Sequence, residues 1–294
     1  MSLVFLFIMI LIVDSGSTKC DWIAVNTSGE QVHDKVRTGG LNPAILDREA
    51  LFETILMSEF LKTKALEVSH VYFYGAGCGT PIPKQQLKDV LETIFNKAQV
   101  EVEEDTMAAV RATIDYSDEK AIVCILGTGS NCSYFDGKNI HQRVVSLGYT
   151  LMDEASGNFF GKELIKDYYF NVMPNDLKLK FEDQFNLDAD TIKYNLYKKE
   201  NPNAYLASFA EFMIKNLDTP YAKSLAERGL KLFSKHMILQ FKDEINSGAK
   251  VHFAGSIAYF IQEEIKLIAK NLGFKTGNFV RRPIEGLVNY HIKN

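Results

Sequence analysis

A chain of 294 residues that is 46% apolar is long enough for two domains, each with its own core. A formal charge of -4, with no basic run longer than a pair such as Arg281-Arg282 or Lys198-Lys199, excludes the electrostatic footprint of a nucleic-acid binder. The four cysteines, Cys20, Cys78, Cys124 and Cys132, contain no C-x-x-C and read as reduced structural thiols of a cytoplasmic protein.

In chain order, residues 3–13 form an apolar run about half as long as the ~20 residues a spanning helix needs. The run lacks a basic leader and a small-residue cleavage site, so it predicts a buried strand and no membrane partner. Strands are expected at 21–26 and 31–37, then a break at Asn42-Pro43 and a helix over 47–64 capped by Asp47. A β-branched and aromatic strand at 68–74 runs into the Gly-rich loop 75–79, followed by a helix from Pro81 to about residue 97. A strand at 99–102 and the acidic trio Glu103-Glu104-Asp105 lead into a helix ending near 113.

The pattern then restarts. Strands at 121–126, 132–135 and 140–145 are followed mostly by helices: 156–170, short pieces within the loop-like 174–202, then 204–216 and 222–246. A strand at 250–254, a helix opened by Gly255-Ser256, a late strand at 279–280 and a closing helix at 285–292 complete the chain. Two α/β domains of one topology are expected, residues 1–116 and 117–294, hinged near 114–119, with the second enlarged by helices.

Two stretches share one layout. Val13-Asp-Ser-Gly-Ser-Thr-Lys19 and Leu126-Gly-Thr-Gly-Ser-Asn131 superpose Gly16 on Gly129 and Ser17 on Ser130, and each returns into a second strand. Neither is a P-loop or a dinucleotide fingerprint, because neither loop opens a helix. Backbone N–H groups and small hydroxyls at two such bends can hold anionic oxygens, and a polyphosphate is the natural ligand.

The pair, together with Gly148 and the Asp153-Glu-Ala-Ser156 run, resembles the phosphate motifs of the actin, sugar-kinase and Hsp70 ATPase superfamily, specifically its N-acetylglucosamine kinase and BadF/BadG-like branch. The resemblance spans nearly the whole chain and implies two ribonuclease-H-like domains with an interdomain cleft. It implies ATP and Mg2+ as cofactors, and a kinase acting on a hydroxyl of N-acetylglucosamine or a related hexose, with a homodimer left open. Ser15, Gly16, Ser17, Thr18, Lys19, Gly127, Thr128 and Gly129 would bind phosphate, and Asp14 would bind the metal. Asp105, heading the family pattern D-x-x-A-A, would be the general base. Asn42, Asp105, Ser130, Asn131, Gly148 and Asp153 would meet the sugar, and Gly255 and Ser256 the adenosine.

Each residue also has a plainer role. Asp14 can cap its loop, and Asp105 its helix. Asn42 suits a turn before Pro43, Asp153 and Glu154 suit a helix's first turn, and Gly148 a tight bend. Ser146-Leu147-Gly148 stands where the family often has Gly-Trp-Gly, which removes a stacking surface for the sugar. Two other activities fit the same resemblance. One is a BadF-type activator ATPase, which needs two exposed cysteines for a shared iron–sulfur cluster. The other is a non-catalytic sugar sensor on the kinase fold.

Overall fold

The computed structural model describes residues 9–16 and 19–293. The chain forms two compact units, residues 1–112 with 282–294, and residues 113–281.

The first unit opens with β1 (Met9–Ser15), β2 (Lys19–Val25) and β3 (Val36–Gly39), then α1 (Arg48–Leu56) and α2 (Glu59–Lys64). It continues with β4 (Val68–Gly75), α3 (Pro81–Ile94), β5 (Gln99–Glu104) and α4 (Asp105–Thr113). Its sheet runs β3-β2-β1-β4-β5, antiparallel on the hairpin side and parallel from β1 through β4 to β5. The continuous apolar run of β1 follows from burial on both faces. Leu11 and Val13 pack with Trp22, Leu51, Ile55, Phe73, Leu87 and Leu91, while Ile10 and Ile12 pack on the opposite face with Ala108 and Leu287.

The second unit has β6 (Ala121–Leu126), β7 (Ser130–Phe135) and β8 (Ile140–His141). Helices α5 (Gly157–Tyr169), α6 (Asn175–Gln184), α7 (Ala189–Tyr197), α8 (Pro202–Ser208), α9 (Ala210–Lys215), α10 (Pro220–His236) and α11 (Lys242–Asn246) follow. Then come β9 (Lys250–Ala254), α12 (Ser256–Phe260), α13 (Gln262–Leu272) and β10 (Thr276–Val280), before the chain returns to the first unit as α14 (Pro283–Lys293). The sheet order β10-β9-β6-β7-β8 repeats that of the first unit strand for strand, with the same parallel and antiparallel pairs. An aromatic core of Phe159, Phe160, Phe181, Phe209, Phe212, Phe233 and Phe253 covers it.

Several expected elements differ from those observed. The strand expected at 31–37 begins only at Val36. Gln31 makes an isolated bridge to Val25 and the chain then leaves the sheet, with the His33 ring stacked on Phe60 at 3.8 Å. The strand expected at 140–145 ends at His141, because Arg143 turns away to the Gln240 carbonyl and the Glu244 carboxylate. The 47–64 helix is broken at Met57-Ser58, where the Ser58 hydroxyl accepts the Leu61 N–H and starts a new helix. Helices expected at 204–216, 222–246 and from 256 onward are likewise divided, and the loop-like 174–202 is mainly the two helices α6 and α7. The closing helix, expected in a second domain of 117–294, belongs to the first compact unit. The first six residues of the expected N-terminal strand, 3–8, lie outside the described residues.

A polar network anchors α14. Arg111 donates to the Tyr74 hydroxyl at 2.7 Å and pairs with Glu101, and the Tyr74 hydroxyl meets His291 Nε2 at 2.6 Å. The Tyr72 ring stacks on His291 at 3.6 Å. Since Tyr74 accepts from Arg111, its proton goes to His291, so Nε2 must be unprotonated. Burial, and then the Arg111 charge, lower the His291 pKa to about 3.

A histidine whose folded pKa lies below its unfolded value contributes stability that is complete above about pH 6.5. That contribution is lost progressively as pH falls from there toward 3. At pH 5 the loss should be about 1 to 2 kcal/mol, allowing for the partial exposure of the ring. Asp14, raised to about 6, acts in the opposite sense as pH falls, but it does so equally in a His291→Gln variant. Urea unfolding of both proteins at pH 7 and pH 5 should therefore show their stability difference shrinking by that amount. An unchanged difference would exclude the neutral histidine as its source.

Candidate active site

In the first unit the parallel strands end together. Ser15, Gly75 and Glu104 stand opposite one another across β1, β4 and β5, and Asp14, Tyr74 and Glu103 form the row behind them. The carboxyl ends of parallel strands are where α/β sheets hold ligands. Asp14 thus reaches the sheet edge one residue before its loop, and Asp105 follows β5 directly as the first residue of α4.

The Asp14 carboxyl is raised to about 6, first by burial and then by the negative charges of Asp105 and Asp21, against a smaller opposing effect of Lys19. Asp21 itself is held by Lys35 and Arg37 at 3.2 and 2.7 Å. Asp105 is also raised, by the protein packed around it and then by Glu104. Hydrogen bonds from the N–H groups of Thr106 and of Asp105 itself work against the rise. Asp105 therefore has the local capping bonds of the plain role and is exposed enough for a ligand to reach. Glu103 is taken by Lys84 at 2.7 Å, while Glu104 stands by Gly79, where an added Cβ would come 2.9 Å from its carboxylate.

The 15–19 loop closes with Gly16 N–H on the Lys19 carbonyl at 2.9 Å; Ser17 and Thr18 lie outside the described residues. Ser15 is buried and its hydroxyl accepts the Leu41 N–H at 2.9 Å, so that side chain serves the fold, not a ligand. Asn42 shows the turn role: its side-chain oxygen accepts the Ala44 N–H at 3.0 Å and its carbonyl accepts from Ile45 and Leu46. Gly77, at φ +83°, packs directly on the Asn42 amide, where any Cβ would overlap it.

In the second unit the 127–129 loop is tied by its carbonyls to the start of α5. Gly157 N–H donates to Gly127 O at 2.8 Å and Asn158 N–H to Thr128 O at 3.0 Å. These are two of the donors that a helix start leaves without intrahelical partners. The N–H groups of Thr128 and Gly129 have no protein acceptor among the described residues, and Thr128 is exposed. Gly129 makes room for Asp153: an added Cβ would lie 2.7 Å from Asp153 Oδ2.

Asp153 is buried, has φ of 72°, and accepts from Asn158 Nδ2 at 2.9 Å. Ser130 is buried beside this loop, and Asn131 Oδ1 is buried without a partner among the described residues. Gly148, at φ +82°, has open space where a Cβ would stand and accepts from Leu151 and Met152, so its backbone shape is what calls for glycine. Leu147 beside it is exposed. Gly255, at φ +112°, lies against the Leu126 carbonyl so closely that a Cβ would overlap it. It brings the exposed Ser256 at the head of α12 next to the 127–129 loop.

The structure therefore gathers Asp14, Gly16, Lys19 and Asp105 at one sheet edge of the first unit. It gathers Gly127, Thr128, Gly129, Ser130, Asn131, Asp153 and Gly255 at the matching edge of the second. Asn158 and Glu104 complete these groups without having been expected. No local pattern marks Asn158, whose amide reaches back 5 residues to Asp153 and 30 to Thr128. All four cysteines are buried, so among the described residues there is no exposed thiol for a shared cluster. No helix among the described residues is long and apolar enough to cross a membrane.

No family model matches the chain, and no curated protein matches it. Solved structures do. A candidate N-acetylglucosamine kinase from Porphyromonas gingivalis is 36% identical, aligning 97% of this chain with 99% of its own at a TM-score of 0.86. A candidate N-acetylglucosamine kinase from Chromobacterium violaceum, 14% identical over 97% of this chain and 99% of its own, has a TM-score of 0.67. A ROK-family glucokinase from Streptomyces griseus, solved with glucose and AMPPNP, is 14% identical over 96% of this chain and 97% of its own, with a TM-score of 0.56. These last two share the fold. With over a third of residues identical along almost the whole of both chains in the first comparison, and two copies of one α/β topology, the chain belongs to the N-acetylglucosamine kinase-like family of the actin, sugar-kinase and Hsp70 superfamily.

Proposed function

We propose that this chain is an ATP-dependent sugar kinase that transfers the γ-phosphoryl group to a hydroxyl, the 6-hydroxyl, of N-acetylglucosamine or a related hexose. The observation that carries this reading is the first unit's strand-end row. There Asp105, exposed at the head of α4, follows the carboxyl end of β5 at the same sheet edge that Asp14 reaches on β1, which supports its role as the group that takes the hydroxyl proton. The kinship with the Porphyromonas gingivalis protein supports the same class of reaction.

In this mechanism the sugar hydroxyl attacks the γ-phosphorus, the bond from that phosphorus to the β–γ bridging oxygen breaks so that ADP leaves, and Asp105 accepts the hydroxyl proton as the new bond forms. In the second unit the outward N–H groups of Thr128 and Gly129 hold phosphate oxygens; in the first the Lys19 ammonium does so, and Gly16, whose own N–H is on the Lys19 carbonyl, leaves room for them. The bare Gly255 lets the backbone approach the adenosine. Asp153, Ser130 and Asn131 offer hydrogen bonds to sugar hydroxyls, Gly148 presents backbone alone, and Asn42 shapes the turn beside the Gly-rich 75–79 loop. Asp14 is a hard oxygen donor beside the negative charges of Asp105 and Asp21, a repulsion that a divalent cation would relieve, so Asp14 fits Mg2+ and Asp105 stays free to act as the base. When bound, the cation would neutralise charge on the transferred group.

The test is ADP release from ATP and Mg2+ across a panel of hexoses and N-acetylhexosamines. The panel must be broad because exposed Leu147 replaces the aromatic common in the family. Release stimulated by one sugar, with a phosphorylated sugar found by mass, is the expected result. ADP release that no sugar stimulates would overturn the proposal.

A further inference from the structure

Asn158 is buried at the second position of α5, and its side-chain amide uses both hydrogens. Nδ2 donates to the Thr128 carbonyl at 2.7 Å and to Asp153 Oδ2 at 2.9 Å. Both partners are acceptors, which fixes the orientation of the amide and leaves Oδ1 buried with no donor among the described residues. A buried oxygen without a partner costs about 1–3 kcal/mol, a cost that the two bonds donated by the same amide, one of them to a buried carboxylate, must offset. What the arrangement provides is geometric.

All peptide bonds among the described residues are trans, and in a trans peptide the carbonyl of one residue and the N–H of the next point in opposite directions. Holding Thr128 O toward α5 therefore turns Gly129 N–H away from it, just as the Gly157 bond to Gly127 O turns out Thr128 N–H. The Thr128 carbonyl receives two hydrogen bonds from one residue, the backbone and the side chain of Asn158. The second amide hydrogen holds the Asp153 carboxylate, which itself occupies the space that Gly129 leaves free.

We propose that Asn158 is a positioning residue that sets two substrate contacts at once, aiming the phosphate-loop N–H of Gly129 and orienting the sugar-facing carboxylate of Asp153. The inference rests on the kinase reading above.

Asn158→Leu keeps the volume and removes both hydrogen bonds; Asn158→Asp keeps the shape and sets a carboxylate against two acceptors. Thermal unfolding would confirm that each variant folds, and sugar-stimulated ADP release would be measured with each substrate varied in turn. The KM for ATP and the KM for sugar should both rise, each by about tenfold or more, as expected when a charged group loses a hydrogen bond. Asp153→Asn should raise the sugar KM and leave the ATP KM within about twofold, because the loop keeps its anchor. A merely structural role would lower kcat through a smaller folded fraction and leave both KM values in place.

Unchanged KM values in a folded Asn158→Leu or Asn158→Asp protein would overturn the proposal alone, as would failure of both variants to fold. If the unaltered protein releases no ADP in response to any sugar, the kinase reading falls and this inference falls with it.

Discussion

Asp105→Asn is expected to bind ATP and sugar as the unaltered protein does and to turn over at least ~100-fold more slowly. Phosphoryl transfer to a hydroxyl has a loose transition state, so positioning and charge neutralisation supply most of the acceleration. A positioned carboxylate still contributes typically 10²–10⁴-fold by removing the hydroxyl proton. Asparagine has the same size and can accept the N–H bonds of Thr106 and of residue 105 at the head of α4, so the local fold should survive. It cannot take the proton, and the defect should therefore lie in kcat with KM nearly unchanged.

Glu103→Gln is the matched control. Its carboxylate is already engaged by Lys84, and its loss should leave kcat within about threefold, the scale of a half-exposed ion pair. Steady-state rates with both substrates saturating would decide. Normal turnover in Asp105→Asn beside a collapse in Glu103→Gln would move the base to the wrong side of Asp105's assignment and refute it.

The second large effect expected is on stability. Gly161 lies in the middle of α5, where glycine costs about 1 kcal/mol relative to alanine in an isolated helix. By propensity alone Gly161→Ala should therefore stabilise the protein. The structure reverses that sign. An added Cβ would overlap the Leu206 carbonyl oxygen of α8 and come 3.3 Å from the Phe209 Cβ, and backbone cannot swing aside as a side-chain tip can. The two helices pack across this glycine, over a core containing Phe159, Phe160 and Phe209.

Overpacking of this kind costs typically 1–3 kcal/mol and more where backbone must shift. About 3 kcal/mol or greater is expected here, read as the fall in urea unfolding free energy relative to the unaltered protein. Stability that stays level or rises in Gly161→Ala would mean that α5 and α8 do not approach so closely.

The repeated strand–loop–strand layout was legible in the chain because hydrophobic runs, small residues at bends and strand order are local and recur at a fixed alignment, Val13 with Leu126. Capping was legible for the same reason. Asp47 accepts the Ala50 N–H, a bond that spans three residues. The importance of Asp14 could be read too, since a carboxylate ending an apolar strand must find a partner, a cap or a ligand.

Only the tertiary structure decided what depended on residues distant in sequence. The Ser15 hydroxyl was a phosphate candidate until it was found on Leu41 N–H, 26 residues away. Asn158 gained its role from Thr128, 30 residues away, and α14 its place from Tyr74, 217 residues before His291. Gly161 read as a weak helical position because the helix that needs its missing Cβ lies 45 residues on, at Leu206. A side chain's local preferences are set by its own backbone and neighbours, whereas its partner across a packed interface is chosen by the fold, and a single sequence writes down only the first.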